Sequence, residues 1–181
     1  MMVVDPVIAL MVRIGLASLF AQAAVHKLRD RGRFALVLGE YRLLPEATVA
    51  ACALALPAAE AATALLLLSP TVHAAGCLVA FGLLTLYGLA IAVNVLRGRR
   101  DIDCGCAGPM ERRPIGWALV VRNGVLGTVA LGGLLPAGGR ALVWMDVVTI
   151  TAATATLAAC YTAVDRLLLV APMRGRLRGT A

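Results

Sequence analysis

The chain has 181 residues, of which 61% are apolar and only 15% charged, and its net charge is +7. Because so short and apolar a chain cannot bury its side chains in a water-soluble globule, we exclude an ordinary cytosolic enzyme, a disordered protein and a nucleic-acid-binding domain. Five cysteines, an odd number, also exclude a fully paired disulfide scaffold within one chain.

Five apolar runs are each long enough, at roughly 20 residues, to cross a hydrocarbon core of about 30 Å. They predict helices over residues 7–25, 47–68, 71–96, 115–135 and 141–164. Helices satisfy every backbone amide in lipid, and the sequence has no alternating strand pattern. The predicted fold is therefore all-α: one membrane domain over residues 1–181, a bundle of five transmembrane helices.

Two of the links between these runs, and the C-terminal tail, are basic. No positive residue precedes the first run, so we do not expect a cleaved signal peptide. The segment over residues 34–44 is too short to span the membrane. We predict that it forms an interfacial helix, which Pro45 ends. Residues 97–114 form a polar loop that contains two cysteines, and residues 165–181 form a basic tail.

The distribution of Lys and Arg predicts the orientation of the chain. The four links and the tail hold, in order, five, zero, five, one and four basic residues. Because basic loops stay in the cytoplasm, the N-terminus is expected outside and the C-terminus inside the bacterial cytoplasmic membrane.

Charged residues inside the runs are costly in lipid and are expected to pair. Arg13 and Glu60 lie at similar estimated depths below the outer face, at 1.5 Å per residue, so they predict an intramembrane ion pair that Asp146 could join. The pair either serves function or only fixes two helices together.

The loop before the fourth run carries the chemical motif, Cys104-Gly105-Cys106, with Asp103 before it and Gly108 after it. A disulfide across one residue closes a small ring; it should be strained and easily reduced, and Gly105 lets the backbone bend. This favours a redox-active pair. Reduced, inert thiols and a soft-metal site remain alternatives, although only two histidines are available and no metal is predicted.

Several polar residues are expected at the same end of the bundle. Asn94, Arg122, Asn123 and Lys27 could border a pocket below the cysteine loop and donate hydrogen bonds to a thiolate or a quinone carbonyl. Arg122 could equally extend to the membrane surface. The other cysteines, Cys52, Cys77 and Cys160, lie in apolar runs and are expected to act as small hydrophobic residues.

Several sequence blocks together resemble the MauE family, which is related to DoxX-type membrane proteins. The matching blocks, over about residues 10–135, are LFAQAAVHKL, YRLLP, LPAAEAATALLLL, DCGCAG and VRNG. The resemblance implies a bundle with a four-helix core and an association with thiol–disulfide chemistry. It also implies a thioredoxin-like partner of the MauD type during maturation of an extracytoplasmic protein, and an analogy with quinone-reducing membrane enzymes makes quinone a candidate cofactor.

The family role and the charge count disagree about the working side of Cys104 and Cys106. The pair could pass electrons across the membrane, the loop could fold into the bundle, or one run could be re-entrant. Besides a redox role, two other functions stay open. One is a non-catalytic subunit of a larger membrane complex, and the other is an oligomeric carrier of a small molecule or metal.

Overall fold

The computed structural model describes residues 3–104 and 114–178, and the fold within them is a bundle of six α-helices without an extended strand. The helices are α1 (Pro6–Arg29), α2 (Arg31–Glu40), α3 (Glu46–Leu68), α4 (His73–Leu96), α5 (Trp117–Gly132) and α6 (Trp144–Arg178). The prediction of an all-α membrane bundle is confirmed.

Four of the described helices, α1, α3, α4 and the part of α6 over Trp144–Val164, are long and apolar enough to cross a membrane. The fourth predicted span, over residues 115–135, corresponds to α5, which is apolar but has only 16 residues. At 1.5 Å per residue it is about 24 Å long, shorter than a hydrocarbon core of about 30 Å. The helix predicted to end at residue 164 continues through the basic tail to Arg178.

Local signals explain where the first helices begin. Asp5 caps α1 by accepting the Val7 amide at 2.8 Å, and Pro6 takes the first helical position, where no amide donor is needed. Asp30 caps α2 in the same way through the Arg33 amide at 3.1 Å. The predicted interfacial helix thus begins three residues earlier and ends at Glu40, while Pro45 precedes α3.

The core lies among α1, α3, α4 and α5. Phe20, Leu67 and Cys77, each fully buried or nearly so, belong to its central cluster. Helix α4 packs on both α3 and α5, and α6 packs along α1. Many large apolar residues on the outer faces stay exposed, as expected of surfaces that meet lipid.

Arg140 joins the start of α1 to the start of α6. Its guanidinium contacts Asp5 at 3.1 Å and Asp146 at 2.7 Å, and Val4 bonds with the backbone of residues 136 and 138. Asp146, predicted to join a pair inside the membrane, binds Arg140 instead. The Arg140 hydrogen bond, assisted by the Val7 amide, lowers the pKa of Asp5.

This contact gives a pH prediction. Because the pKa of Asp5 is lower in the folded state, the contact stabilises above the ordinary Asp range near 4 and loses its effect as the pH falls through the folded-state pKa. We expect Arg140→Gln to speed proteolysis near residues 136–146 at pH 7 in detergent, and to differ less from the parent as the pH falls and Asp5 takes up a proton. Equal cleavage at pH 7 would contradict the prediction.

Candidate functional site

The chain leaves α4 through a glycine turn that aims the next segment toward α2. Gly98 has φ +75°, a conformation that glycine adopts without strain. The Gly98 amide bonds to the Val95 carbonyl at 3.1 Å and the Arg99 amide to the Asn94 carbonyl at 3.0 Å, the pattern of a Schellman motif. The helix therefore ends in a defined direction.

The two ends of the cysteine loop are held together at its base. Asp103 and Pro114 form an antiparallel bridge, and the Ile115 amide donates to the Ile102 carbonyl at 3.0 Å. Ile102 and Ile115 are both buried. Cys104 is thus the first residue beyond a closed and anchored base.

Cys104 is only 8% exposed and lies in an apolar cluster between α2, α4 and α5. We call this set the Cys104 cluster; its other members are Val37, Tyr41, Ile91, Val95, Ile102, Ile115 and Leu119. Three helices therefore contribute to the surroundings of this one sulfur. Cys106, Gly105 and Gly108, also predicted as site residues, lie outside the described residues.

Two arginines connect α2 with the loop, one from each side. The Arg33 guanidinium, on α2, contacts the Asp103 carboxylate at 2.9 Å. Arg99, beyond α4, donates to the Glu40 carbonyl at 2.7 Å and the Tyr41 carbonyl at 3.4 Å. These carbonyls lie at the end of α2, where a cation is favourable.

Three of the predicted supporting residues lie near this end, and the two asparagines bond within the protein. Asn94 is fully buried; its amide donates to Ala90 at 3.1 Å and its oxygen accepts from Arg99 at 3.1 Å. Asn123 donates to the Leu119 carbonyl at 2.8 Å. Arg122 is half-buried. The intramolecular bonds of the two asparagines account for their burial without a ligand.

A second polar site lies inside the bundle. Lys27 forms an ion pair with Glu60, and their side chains are 4% and 1% exposed. The Tyr87 hydroxyl donates to the same Glu60 oxygen at 2.9 Å. The Lys27 ammonium also lies 5.1 Å from the centre of the Phe34 ring and 4.6 Å from that of Tyr87. Helices α1 to α4 therefore all contribute to this site.

This pairing differs from the predicted one, because Glu60 binds Lys27 and not Arg13. Arg13 and Lys27 are fourteen positions apart on α1, which is about 21 Å along the axis. Lys27 is near the end of α1, whereas Glu60 is well inside α3, so the two helices are offset, and α2 also packs on α3. The expectation that Arg13 and Glu60 lie at similar depths and form a pair was therefore wrong. Within the described residues, the buried Arg13 Nε has no hydrogen-bond partner.

Sequence analysis missed four residues that the fold brings to these sites: Arg33, Arg99, Phe34 and Tyr87. Arg33 and Arg99 had counted only as cytoplasmic charges. Tyr87 gave a weak indication of a polar contact, because its side chain carries a hydroxyl in an apolar run that has no formal charge. Its partner depended on helix register, which the sequence does not reveal.

The remaining cysteines and histidines do not gather around a metal position. Cys77 is fully buried in the core, Cys52 is half-buried and Cys160 is exposed. Across residues 3–104 and 114–178, no three His, Cys, Asp or Glu side chains are grouped to hold a metal ion.

Together, the apolar helices and the buried ion pair define a multi-pass helical membrane protein with a cysteine enclosed at one end of the bundle. A family model described as methylamine utilisation protein MauE matches residues 5–136. The chain therefore belongs to the MauE family, as its sequence blocks predicted.

Curated relatives agree with this assignment. Proteins named methylamine utilization protein MauE are 45% identical in Paracoccus versutus, over 76% of this chain and 76% of the relative, and 41% identical in Paracoccus denitrificans, over 71% and 69%. That of Methylophilus methylotrophus is 41% identical over 74% of this chain and 68% of its own length. No solved structure matches the chain.

Proposed function

We propose that this chain is a thiol–disulfide redox protein of the bacterial cytoplasmic membrane, working through Cys104 and Cys106. In this proposal it exchanges electrons with a thioredoxin-like partner of the MauD type and supports maturation of an extracytoplasmic protein used in methylamine utilisation. The names of the relatives support the pathway. The observation that carries the chemistry is Cys104, buried at the closed base of its loop.

The burial of Cys104 suggests different roles for the two sulfurs. A partner thiolate needs access to the sulfur that it attacks, and the Cys104 sulfur lies in the apolar cluster. We therefore assign the attack to Cys106. The Cys104–Cys106 bond breaks, a bond forms between Cys106 and the partner, and Cys104 leaves as a thiolate that takes up a proton.

The second step completes a balanced exchange. The other thiol of the partner attacks its own sulfur in the mixed disulfide, releases Cys106 as a thiol and leaves the partner oxidised. Two electrons and two protons have then passed from the partner to the Cys104–Cys106 pair. The pair is reoxidised by the same exchange with the disulfide of a second redoxin, so relative reduction potentials set the direction.

The orientation remains part of the proposal, with the N-terminus outside and the C-terminus inside. It is supported by contacts between the two most basic links: Arg33 of the first meets Asp103 of the second, and Arg99 meets the end of α2. Because both links lie at one end of the bundle, their positive charges favour the same side of the membrane.

Thiol trapping in membrane vesicles tests the redox proposal. We expect the Cys104→Ser variant to accumulate a mixed disulfide between Cys106 and the second, oxidised redoxin, because Cys104 is the thiol that displaces this redoxin in the reoxidation step. Cys106→Ser should accumulate none. The double variant should lower methylamine-dependent growth about tenfold or more. Cys52→Ser, a half-buried cysteine within α3, is the matched control and should behave like the parent.

Cysteines that stay reduced under every oxidant, with full activity of the double variant, would overturn the proposal. Reoxidation of the dithiol by quinone alone would replace the second redoxin with a quinone as acceptor.

The alternative function is a non-catalytic assembly subunit. It is favoured by the Lys27–Glu60–Tyr87 site, which joins three helices through buried side chains of the chain itself. Under this alternative, substitution of Glu60 lowers the amount of assembled complex, while the double cysteine variant leaves both assembly and growth unchanged.

A further inference from the structure

We propose that Arg99 determines which sulfur of the cysteine pair a redox partner can reach: it fixes the end of α2 against the Cys104 cluster and so keeps Cys104 enclosed. The inference rests on the proposed function, because it concerns how a partner is directed to Cys106. Arg99 is in this view a positioning residue, which acts through α2 and Tyr41 and does not touch a reacting sulfur.

The Arg99 side chain is held in place by the end of α4. Gly98 turns the chain with φ +75°, so that the Arg99 amide bonds to the Asn94 carbonyl at 3.0 Å. The Arg99 guanidinium also donates to the side-chain oxygen of Asn94 at 3.1 Å. Asn94 is fully buried, and its own side-chain amide donates to the Ala90 carbonyl at 3.1 Å. Arg99 is therefore bonded through backbone and side chain to a residue that is itself fixed.

The same guanidinium binds the last carbonyls of α2. It donates to the Glu40 carbonyl at 2.7 Å and to the Tyr41 carbonyl at 3.4 Å. Carbonyls at this end of a helix have no partner within the helix, and a cation is favoured beside them. The next residue, Arg42, takes φ +48°, a conformation that residues other than glycine seldom adopt. The chain thus turns away sharply after Tyr41, and Arg99 holds the carbonyls that precede the turn.

The end of α2 that Arg99 binds forms one wall of the Cys104 cluster. Tyr41, the residue that ends α2, and Val37, one turn before it, are both buried members of this cluster. The other members come from α4, from the loop base and from α5. A local opening at the end of α2 would therefore uncover Cys104 while the central core of the bundle stays packed.

The enclosure of Cys104 determines the course of the exchange. A disulfide offers two sulfurs, and a thiolate attacks the one that it can reach. With Cys104 enclosed, the partner forms its bond with Cys106, and Cys104 is kept as the thiol that later displaces the oxidised redoxin. With α2 released, attack at Cys104 competes, and the two sulfurs lose their separate roles.

Alkylation of the reduced full-length chain in detergent tests this inference, with Cys106→Ser as background. The probe is N-ethylmaleimide, and mass spectrometry follows the Cys104 and Cys77 peptides in the same sample. We expect Arg99→Met to raise the alkylation rate of Cys104 about tenfold or more, because the bonds to two carbonyls and to Asn94 are lost. The rate of Cys77, which is fully buried in the central cluster, should stay within about twofold of the parent.

Arg97→Met is the matched control, because it removes an exposed arginine two positions earlier. It should leave the Cys104 rate within about twofold of the parent. Arg99→Lys should give an intermediate rate, since an ammonium lacks the planar set of donors that a guanidinium offers. The direction of the change separates access from charge: loss of a cation disfavours the thiolate and would slow alkylation.

An unchanged Cys104 rate in Arg99→Met would overturn the inference. So would equal increases at Cys104 and Cys77 in both Arg99→Met and Arg99→Lys, because that result means that Arg99 only stabilises the whole fold. The milder Arg99→Lys variant decides the outcome if Arg99→Met folds poorly.

Failure of this inference is distinguishable from failure of the redox proposal. In membrane vesicles, Arg99→Met/Cys106→Ser should accumulate a mixed disulfide between Cys104 and the oxidised redoxin, whereas Cys106→Ser alone should not. Faster alkylation of Cys104 with a fully active double cysteine variant would retain the enclosure by Arg99 and remove the redox function. A mixed disulfide in Cys104→Ser with an unchanged Cys104 rate in Arg99→Met would retain the redox function and remove the role of Arg99.

Discussion

Lys27→Met and Glu60→Gln are each expected to lower the free energy of unfolding in detergent by about 3 to 5 kcal/mol. Each substitution leaves the other charge buried, at 4% or 1% exposure, without its counter-charge. Stability would be measured by titration with a denaturing detergent, with helicity as the signal.

The double variant Lys27→Met/Glu60→Gln should lose clearly less unfolding free energy than the two single variants lose in total, because neither charge then remains buried. Arg13→Met is the matched control: it removes a charge from the same helix that does not contact Glu60. In the double variant Arg13→Met/Glu60→Gln, the loss of unfolding free energy should equal the sum of the two single losses within about 0.5 kcal/mol. A large coupling energy between Arg13 and Glu60, together with no coupling energy between Lys27 and Glu60, would contradict this prediction and support the pairing inferred from the sequence.

Gly76→Ala should destabilise the hairpin of α3 and α4 by about 1 to 3 kcal/mol. A Cβ at residue 76 would lie 2.7 Å from the Leu67 nitrogen and 2.8 Å from the Leu66 carbonyl carbon. Because both are backbone atoms, only separation of the helices relieves the overlap, and Leu67 and Cys77 are fully buried beside it.

Gly82→Ala is the control for this prediction, since it lies on the same helix and its added Cβ meets no atom within 4 Å. Alanine also favours the helix over glycine, so this variant should be neutral or slightly stabilising. The same detergent titration measures both. Equal stability of the two variants would show that the close approach at Gly76 is not required.

The positions of the helices were largely predictable because they depend on local properties of the chain. Apolar runs of about 20 residues are long enough to cross a bilayer, and residues such as Asp5 and Pro6 mark a helix start through their own backbone chemistry. The extent of α5 was less predictable, because the glycines and proline after Gly132 are as compatible with a short helix as with a longer one.

The candidate site was predictable only in part. Cys104, Asp103 and Asn94 were placed at one end of the bundle by their positions near the ends of the apolar runs. Arg33 was not, because Asp103, whose carboxylate contacts its guanidinium, lies seventy positions further along the chain. Only the packing of α2 against the loop brings them together.

By itself, the sequence determined that this chain is a helical membrane protein of the MauE family, since composition, run length and ordered motifs need no tertiary information. The tertiary structure decided which charges meet. Depth along a single helix follows from counting residues, but the offset between neighbouring helices follows from side-chain packing and from the space that α2 fills beside α3. That offset brings Lys27 to Glu60 and leaves Arg13 about 21 Å away along α1.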